Sequence, residues 1–302
     1  MSAIWTRQPE RGSATLLRLA VWLVLGLGRP VGRLLLYPIS SYFLLFSGHA
    51  RRASRRYLQR VLGRAPSLAE SFRHYHTFAA TILDRLCLLA GRHDGFELDV
   101  HGEAHLREAI RQGQGCLLVG AHLGSFEMLR ALGVRQAGLT IKALMYSDNA
   151  QKFNRVAAAL NPQLAADVIH VGTLDSLLGV QEHLARGHPL ALLGDRVVGD
   201  AKRVRCDFLG APADFSSAPW LLASALKVPV VLFFCLHRGD RQYAIHFEPM
   251  ADRIALDRRQ RDADIRHWAQ RYADRLAHHC RRAPFNWFNF YDFWDEERRH
   301  AP

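Results

Sequence analysis

His122 and Glu127 stand five residues apart in Cys116-Leu-Leu-Val-Gly-Ala-His-Leu-Gly-Ser-Phe-Glu127. A regular helix would set them about 140° apart around its axis and could not pair them. A strand-to-helix turn between the two removes that obstacle: the histidine then sits on the loop and the glutamate in the helix's first turn, where the N-terminal dipole favours its ionised form. A carboxylate that accepts one imidazole N–H fixes the tautomer and leaves the other ring nitrogen as a base toward a hydroxyl. Ser125 suits a helix cap better than a nucleophile, because Gly-Ser-Phe-Glu lacks the Gly-x-Ser-x-Gly elbow of a hydrolase. The chemistry indicated is base-assisted attack by a substrate hydroxyl.

The Val-Gly-Ala strand followed by a histidine, four residues and an acid resembles the signature of the glycerolipid and lysophospholipid acyltransferase superfamily. Gly-Ala-His-Leu-Gly-Ser-Phe-Glu is most similar to the bacterial branch that holds the late lipid A (lauroyl/myristoyl) acyltransferases. The resemblance implies that His122 is the general base and Glu127 its orienting partner. It also implies an acyl carrier protein or CoA thioester as donor, a lipid or glycolipid as acceptor, no metal or organic cofactor, and the cytoplasmic face of a bacterial inner membrane. Where the phospholipid branch carries Pro-Glu-Gly-Thr-Arg, this chain has Leu192-Leu-Gly-Asp-Arg196, so simple lysophosphatidate is not the acceptor expected.

The elements that must position these residues follow from periodicity. Cys116 to Ala121 is an unbroken apolar run, as in a strand buried on both faces. Phe126, Met128, Leu129 and Leu132 give the next segment a helical apolar face. Leu68 to Leu89 is an amphipathic packing helix, and Phe96 to Val100 the first strand. The α/β rhythm continues with strands 139–145, 168–171 and 189–194 and helices 150–160 and 174–185, then a hairpin at 208–215, a helix at 219–226, strands at 228–234 and 243–248, and a final helix over 262–279. The fold class expected is α/β, with a mostly parallel or mixed central sheet flanked by helices and a hydrophobic, membrane-associated helical segment at the N-terminus. The division expected is 1–66 for that segment and 67–302 for the acyltransferase domain.

Ligand contacts in open α/β sheets gather at the ends of strands. Asn149 and Arg155 open the loop after the strand at 139–145; they match the resembled family's Asn-rich turn and arginine, and a capped helix start explains them equally. Asp195 and Arg196 end the 189–194 strand, with Arg196 expected to meet a phosphate or polarise the thioester carbonyl and Asp195 to hold it or the acceptor. Backbone N–H groups near Gly124, together with Arg196, are the expected oxyanion donors. Phe208 and Gly210 are candidates for lining an acyl channel, although turn and core roles also suffice for them.

A net charge of +12, from 40 basic against 28 acidic residues, calls for an acidic partner: nucleic acid, an anionic membrane or an acidic carrier protein. No Walker motif, dinucleotide fingerprint or zinc spacing is present. The five scattered cysteines fit a reduced compartment. Two apolar runs, Leu16 to Gly28 and Leu34 to Phe46, are each short for a bilayer span; with Arg7, Arg11 and Arg18 before or at the start of the first and five arginines between Arg51 and Arg60 after the second, they read as an anchor lying in an anionic interface. A pair of buried helices is the other reading. The tail Pro284 to Trp294 is strongly aromatic and is expected to dock near the active-site mouth or membrane, while Asp292 and Asp295 argue against nucleic acid. A membrane-bound lipid-binding or assembly protein without catalysis is the rival function, and an intact His122 and Glu127 pair weighs against it.

Overall fold

The structure is a computed structural model that describes residues 26, 28–92, 95–111, 113–129, 140–146, 168–171, 174–197 and 202–294. The first apolar run up to Leu25, the expected helix over 150–160, and the candidates Asn149 and Arg155 lie outside the described residues. Strands β1 (Glu97–His101), β2 (Leu117–Gly120), β3 (Lys142–Tyr146), β4 (Val168–Val171), β5 (Leu190–Leu193), β8 (Val230–Gly239) and β9 (Gln242–Ala251) form one sheet in the order β1-β9-β8-β2-β5-β3-β4. Every neighbouring pair runs parallel except β8 and β9, which are joined by a tight turn. The sheet is therefore mixed but mostly parallel, and the helices α1 (Arg29–Phe46), α2 (Gly48–Leu62), α3 (Leu68–Leu89), α4 (Glu103–Arg111), α5 (Leu174–Ala185), α6 (Ala218–Leu226) and α7 (Arg261–Arg282) complete the α/β fold.

Both faces of the central strands are buried, which explains their continuous apolar sequence. Leu117 and Val119 of β2, with Val230, Leu232 and Phe234 of β8, pack toward Tyr272 and Leu276 of α7, Trp220 of α6 and Trp287. The alternate residues Leu118, Val231, Phe233 and Cys235 face Leu106 and Ala109 of α4 and Met128 and Leu129 after the His122 loop. A separate hairpin of β6 (Arg203–Phe208) and β7 (Ala211–Ser216) carries Phe208 and Phe215 into the first of these cores.

Helix α3 begins where the sequence places it, because Ser67 and Glu70 form a reciprocal capping box: Glu70 N–H donates to Ser67 Oγ (3.1 Å) and Ser67 N–H to Glu70 Oε2 (2.8 Å). The second apolar run of the N-terminal segment forms α1, with Pro30 in its first turn, where a missing N–H costs little. Gly32, Leu36, Ser40 and Leu44, spaced by four, make its buried stripe, and Leu36 packs on Ala80, Leu83 and Cys87 of α3. Arg29 fixes the start of α1: its Nε donates to Asp84 of α3 (2.8 Å), its Nη1 to Asp240 in the β8–β9 turn (2.7 Å), and Tyr243 Oη donates to the same Asp84 (2.8 Å). The outward face holds Val31, Leu34, Tyr37, Ile39, Tyr42, Leu45 and Phe46, leaving only Leu68 and Leu178 as other exposed large apolar side chains among the described residues. No helix among the described residues is long and apolar enough to cross a membrane.

Helix α2 is not peripheral. Tyr57 and Leu58 are fully buried members of the core that also holds Trp287, and Ser54 hydrogen-bonds His74 of α3 (2.8 Å). Residues on the N-terminal side of the expected division after residue 66 thus contribute to a core that the rest of the chain completes.

Candidate active site

The register of β2 and β5 builds the site. Gly120 pairs with Leu193, and Gly194 N–H donates to the Gly120 carbonyl (2.8 Å), so the residues two positions beyond, His122 and Asp195, leave the sheet side by side. His122 Nδ1 lies 2.7 Å from Asp195 Oδ1, and the backbone N–H of His122 donates to Asp195 Oδ2 (3.1 Å). Asp195 is wholly buried, while 29 % of the His122 side chain reaches solvent. This end of the sheet is where open α/β folds receive ligands.

The carboxylate on the imidazole is Asp195, and Glu127, expected in that place, is elsewhere. Ser125 caps the helical turn that follows, its Oγ accepting from Met128 N–H (3.4 Å), and this turn directs Glu127 to an ion pair with Arg85 of α3. The expected pairing of His122 with Glu127 is corrected accordingly. A reversal within five residues leaves the glutamate facing the neighbouring helix, whereas strand pairing delivers Asp195 to the ring directly.

The loop between His122 and the helical turn at 126–129 is held by backbone bonds. Gly124 N–H donates to the Asn286 carbonyl (2.8 Å) and Ser125 N–H to the Cys235 carbonyl (3.0 Å). Of the backbone N–H groups expected for an oxyanion near Gly124, those of Gly124 and Ser125 are therefore committed to the fold. Gly124 has φ +73°, and a Cβ built on it would stand 1.6 Å from the Cys235 carbonyl oxygen, so glycine is required by conformation and by space together.

The aromatic tail forms the floor of the site. Residues 286–289 run antiparallel beside 122–124: Leu123 bridges Trp287, and Phe288 N–H donates to the His122 carbonyl (2.8 Å). Trp287 Nε1–H and Asn289 Nδ2–H both donate to Asp195 Oδ2 (3.0 and 3.1 Å). Arg196 donates through Nε to Asn289 Oδ1 (2.7 Å) and through Nη2 to the Phe288 carbonyl (3.0 Å), with its guanidinium 5.7 Å from the Tyr291 ring centre. Asn286 secures the segment to β8, accepting from His237 N–H (2.7 Å) and donating to its carbonyl (3.2 Å). Behind it, His74 Nε2 lies 2.9 Å from the Trp287 carbonyl, and burial pushes its pKa down to about 4, so this ring is a neutral strut.

The electrostatics define what the pair can do. Burial alone would raise the Asp195 carboxyl, but the facing His122, the nearby Arg196 and the His122 backbone N–H hold it at about 2. An ionised Asp195 only accepts, so Nδ1 of His122 carries the proton and Nε2 is the unprotonated base. Burial and the charge of Arg196 lower the His122 pKa below its ordinary value of 6.5 against the opposing pull of Asp195. The ring is thus a neutral base near neutral pH, fit to take a proton from a hydroxyl.

Of the remaining candidates, Phe208 is buried against Phe215, Trp287, Phe293 and Trp294 (ring centres 5.2 to 5.7 Å), and its carbonyl accepts from Trp294 Nε1–H (3.1 Å). Gly210 (φ +80°) and Leu209 (φ +49°) are the two central residues of the β6–β7 turn, which needs positive φ at both. Core and turn account for both positions. Sequence reasoning missed Arg85, Trp287 and Asn289 as members of this site; asparagines at 286 and 289, three apart in an aromatic run, are the signal that could have found the tail's part. Among the described residues no group of three or more histidine, cysteine or acidic side chains is arranged to hold a metal ion.

No curated protein matches the chain. The family model described as bacterial lipid A biosynthesis acyltransferase matches residues 4–295, nearly the whole length and all of the site just described. A strand-end histidine carried by an α/β sheet is what the apolar run before His122 leads one to expect, and with that match the chain belongs to the bacterial lipid A biosynthesis acyltransferase family.

Proposed function

We propose that this acyltransferase moves a fatty acyl group from an acyl carrier protein or CoA thioester to a hydroxyl of a lipid or glycolipid, with His122 as general base and Asp195 as its orienting carboxylate. Nε2 of His122 takes the hydroxyl proton as the oxygen attacks the thioester carbonyl carbon. The tetrahedral oxyanion forms near the positive charge of Arg196, then collapses with cleavage of the C–S bond, and the departing thiolate recovers the proton from the imidazolium. Glu127 acts at one remove by holding Arg85. The observation that carries the reading is the buried Asp195 carboxylate on Nδ1 of a histidine whose side chain is 29 % exposed.

The reaction is placed at the cytoplasmic face of the inner membrane, with the apolar outer face of α1 in the interface. Arg51, Arg52, Arg55 and Arg56 of α2 are exposed and would meet anionic head groups.

Incubation of purified protein with labelled acyl carrier protein or CoA thioesters and candidate acceptors, read by mass spectrometry, tests the assignment. His122→Ala is expected to lower transfer by at least about 10²-fold without unfolding the protein. Asp195→Asn should cost more than Glu127→Gln; the reverse order would return the orienting role to Glu127.

A further inference from the structure

We propose that Trp287 and Asn289 are positioning residues of the dyad: their side-chain N–H groups fix the Asp195 carboxylate, and Asn289 at the same time tethers Arg196. The inference rests on the reading of His122 and Asp195 as the catalytic pair and adds to it the part played by the tail.

The geometry divides the carboxylate in two. Oδ1 faces Nδ1 of His122, while Oδ2 collects three N–H donors: the His122 backbone, the Trp287 indole and the Asn289 amide. A carboxylate with one bond to an imidazole can rotate about its Cβ–Cγ bond. Two further donors from a second chain segment fix its plane, and with it the ring that it orients. Both added donors are neutral, so they satisfy the buried anion without competing with the histidine as a cation would.

Asn289 presents its two ends to different partners. Its amide N–H groups point at Asp195 and its oxygen at Arg196 Nε. An aspartate there could not donate, and an apolar residue would release both partners. The indole is set as firmly: its ring packs on Tyr57, Phe208 and Phe293, its backbone oxygen meets neutral His74, and its carbon frame is fully buried. Packing alone would explain a ring at 287, but it does not require that the indole N–H aim at the same oxygen as the Asn289 amide.

The test separates positioning from packing and from the function itself. Trp287→Phe keeps an aromatic ring and removes the donor; Asn289→Ala removes donor and tether; Asn289→Asp replaces the donor with a second carboxylate. The His122 titration is followed by NMR on the substrate-free enzyme, identifying its signal among those of 16 histidines by its absence in His122→Ala. Thermal unfolding and steady-state transfer are measured on the same samples. With donors removed, Asp195 is a stronger acceptor, so the His122 pKa rises in Trp287→Phe and Asn289→Ala, and rises most in Asn289→Asp, carrying the acid limb of the rate profile upward. The kcat should fall by about tenfold or more in each, with KM near that of the wild type, as expected for a lost bond to a charged group.

Unchanged titration and kcat in Trp287→Phe and Asn289→Ala overturn the proposal. So does a loss of rate that only tracks the fraction unfolded. Because the titration needs no substrate, a shifted His122 pKa in a protein that transfers no acyl group would uphold the positioning and refute the catalytic reading. Transfer that proceeds unaltered in all three variants would overturn the positioning.

Discussion

At the scale of single residues, the proposed chemistry depends on one imidazole held neutral. Burial and Arg196 push the His122 pKa below 6.5, while Asp195 pulls the other way. The proposed mechanism needs the unprotonated Nε2, so kcat/KM should be flat through neutral pH and fall only as the pH drops through that lowered value. Arg196→Gln removes one of the charges that lower it, and the limb should then move to higher pH. A pH profile of kcat/KM reads both, since it reports the free enzyme. A wild-type limb at or above 6.5 would contradict the assigned environment. Asp195, held at about 2, stays ionised across this range and adds no second limb.

Secondary-structure elements divide the work. The ends of β2 and β5 supply His122 and Asp195, the tail supplies the carboxylate's donors, and α3 supplies Arg85 for Glu127 and His74 behind Trp287. Helix α1 does something different. Its Gly32, Leu36, Ser40 and Leu44 stripe already meets α3, and yet its outer face still exposes Leu34, Leu45 and Phe46 at 60 % or more. An apolar outer face beside arginine-rich α2 fits a lipid interface. Leu34→Ser combined with Phe46→Ser, both on that face, should leave the unfolding temperature within a few degrees of wild type and reduce cosedimentation with anionic vesicles several-fold. Equal binding by the double variant would remove α1 from the membrane contact.

For the whole molecule, the N-terminal helices are tied into the catalytic body. Cutting the chain before Ser67 would remove buried Tyr57 and Leu58 from the shared core, free the Ser54 partner of His74, and delete the Arg29 bridge to Asp84 and Asp240. Losing one large core side chain costs about 2–5 kcal/mol, against a typical total of about 5–15 kcal/mol. A chain beginning at Ser67 is therefore expected to lose cooperative thermal unfolding and acyl transfer together. A soluble, cooperatively folding and active fragment would instead separate the two parts at residue 66.

What the sequence determined by itself was local. The apolar spacing places α3 at Leu68–Leu89, the apolar run places β2, and Gly-Ala-His-Leu-Gly-Ser marks a strand that delivers a histidine to a capped turn. These features are legible because dihedral preference, capping and burial period act within a few residues. Which acid meets the histidine was not legible. Asp195 is 73 positions from His122, and Trp287 and Asn289 are 92 and 94 positions from Asp195. Their meeting depends on β5 pairing with β2 in one register and on the tail returning beside the His122 loop, and no periodicity encodes a strand order. Glu127 was nearer in sequence, but its helical turn aims it at Arg85. The tertiary structure alone decided the partner, because hydrogen bonds at strand ends follow the order in which the sheet assembles.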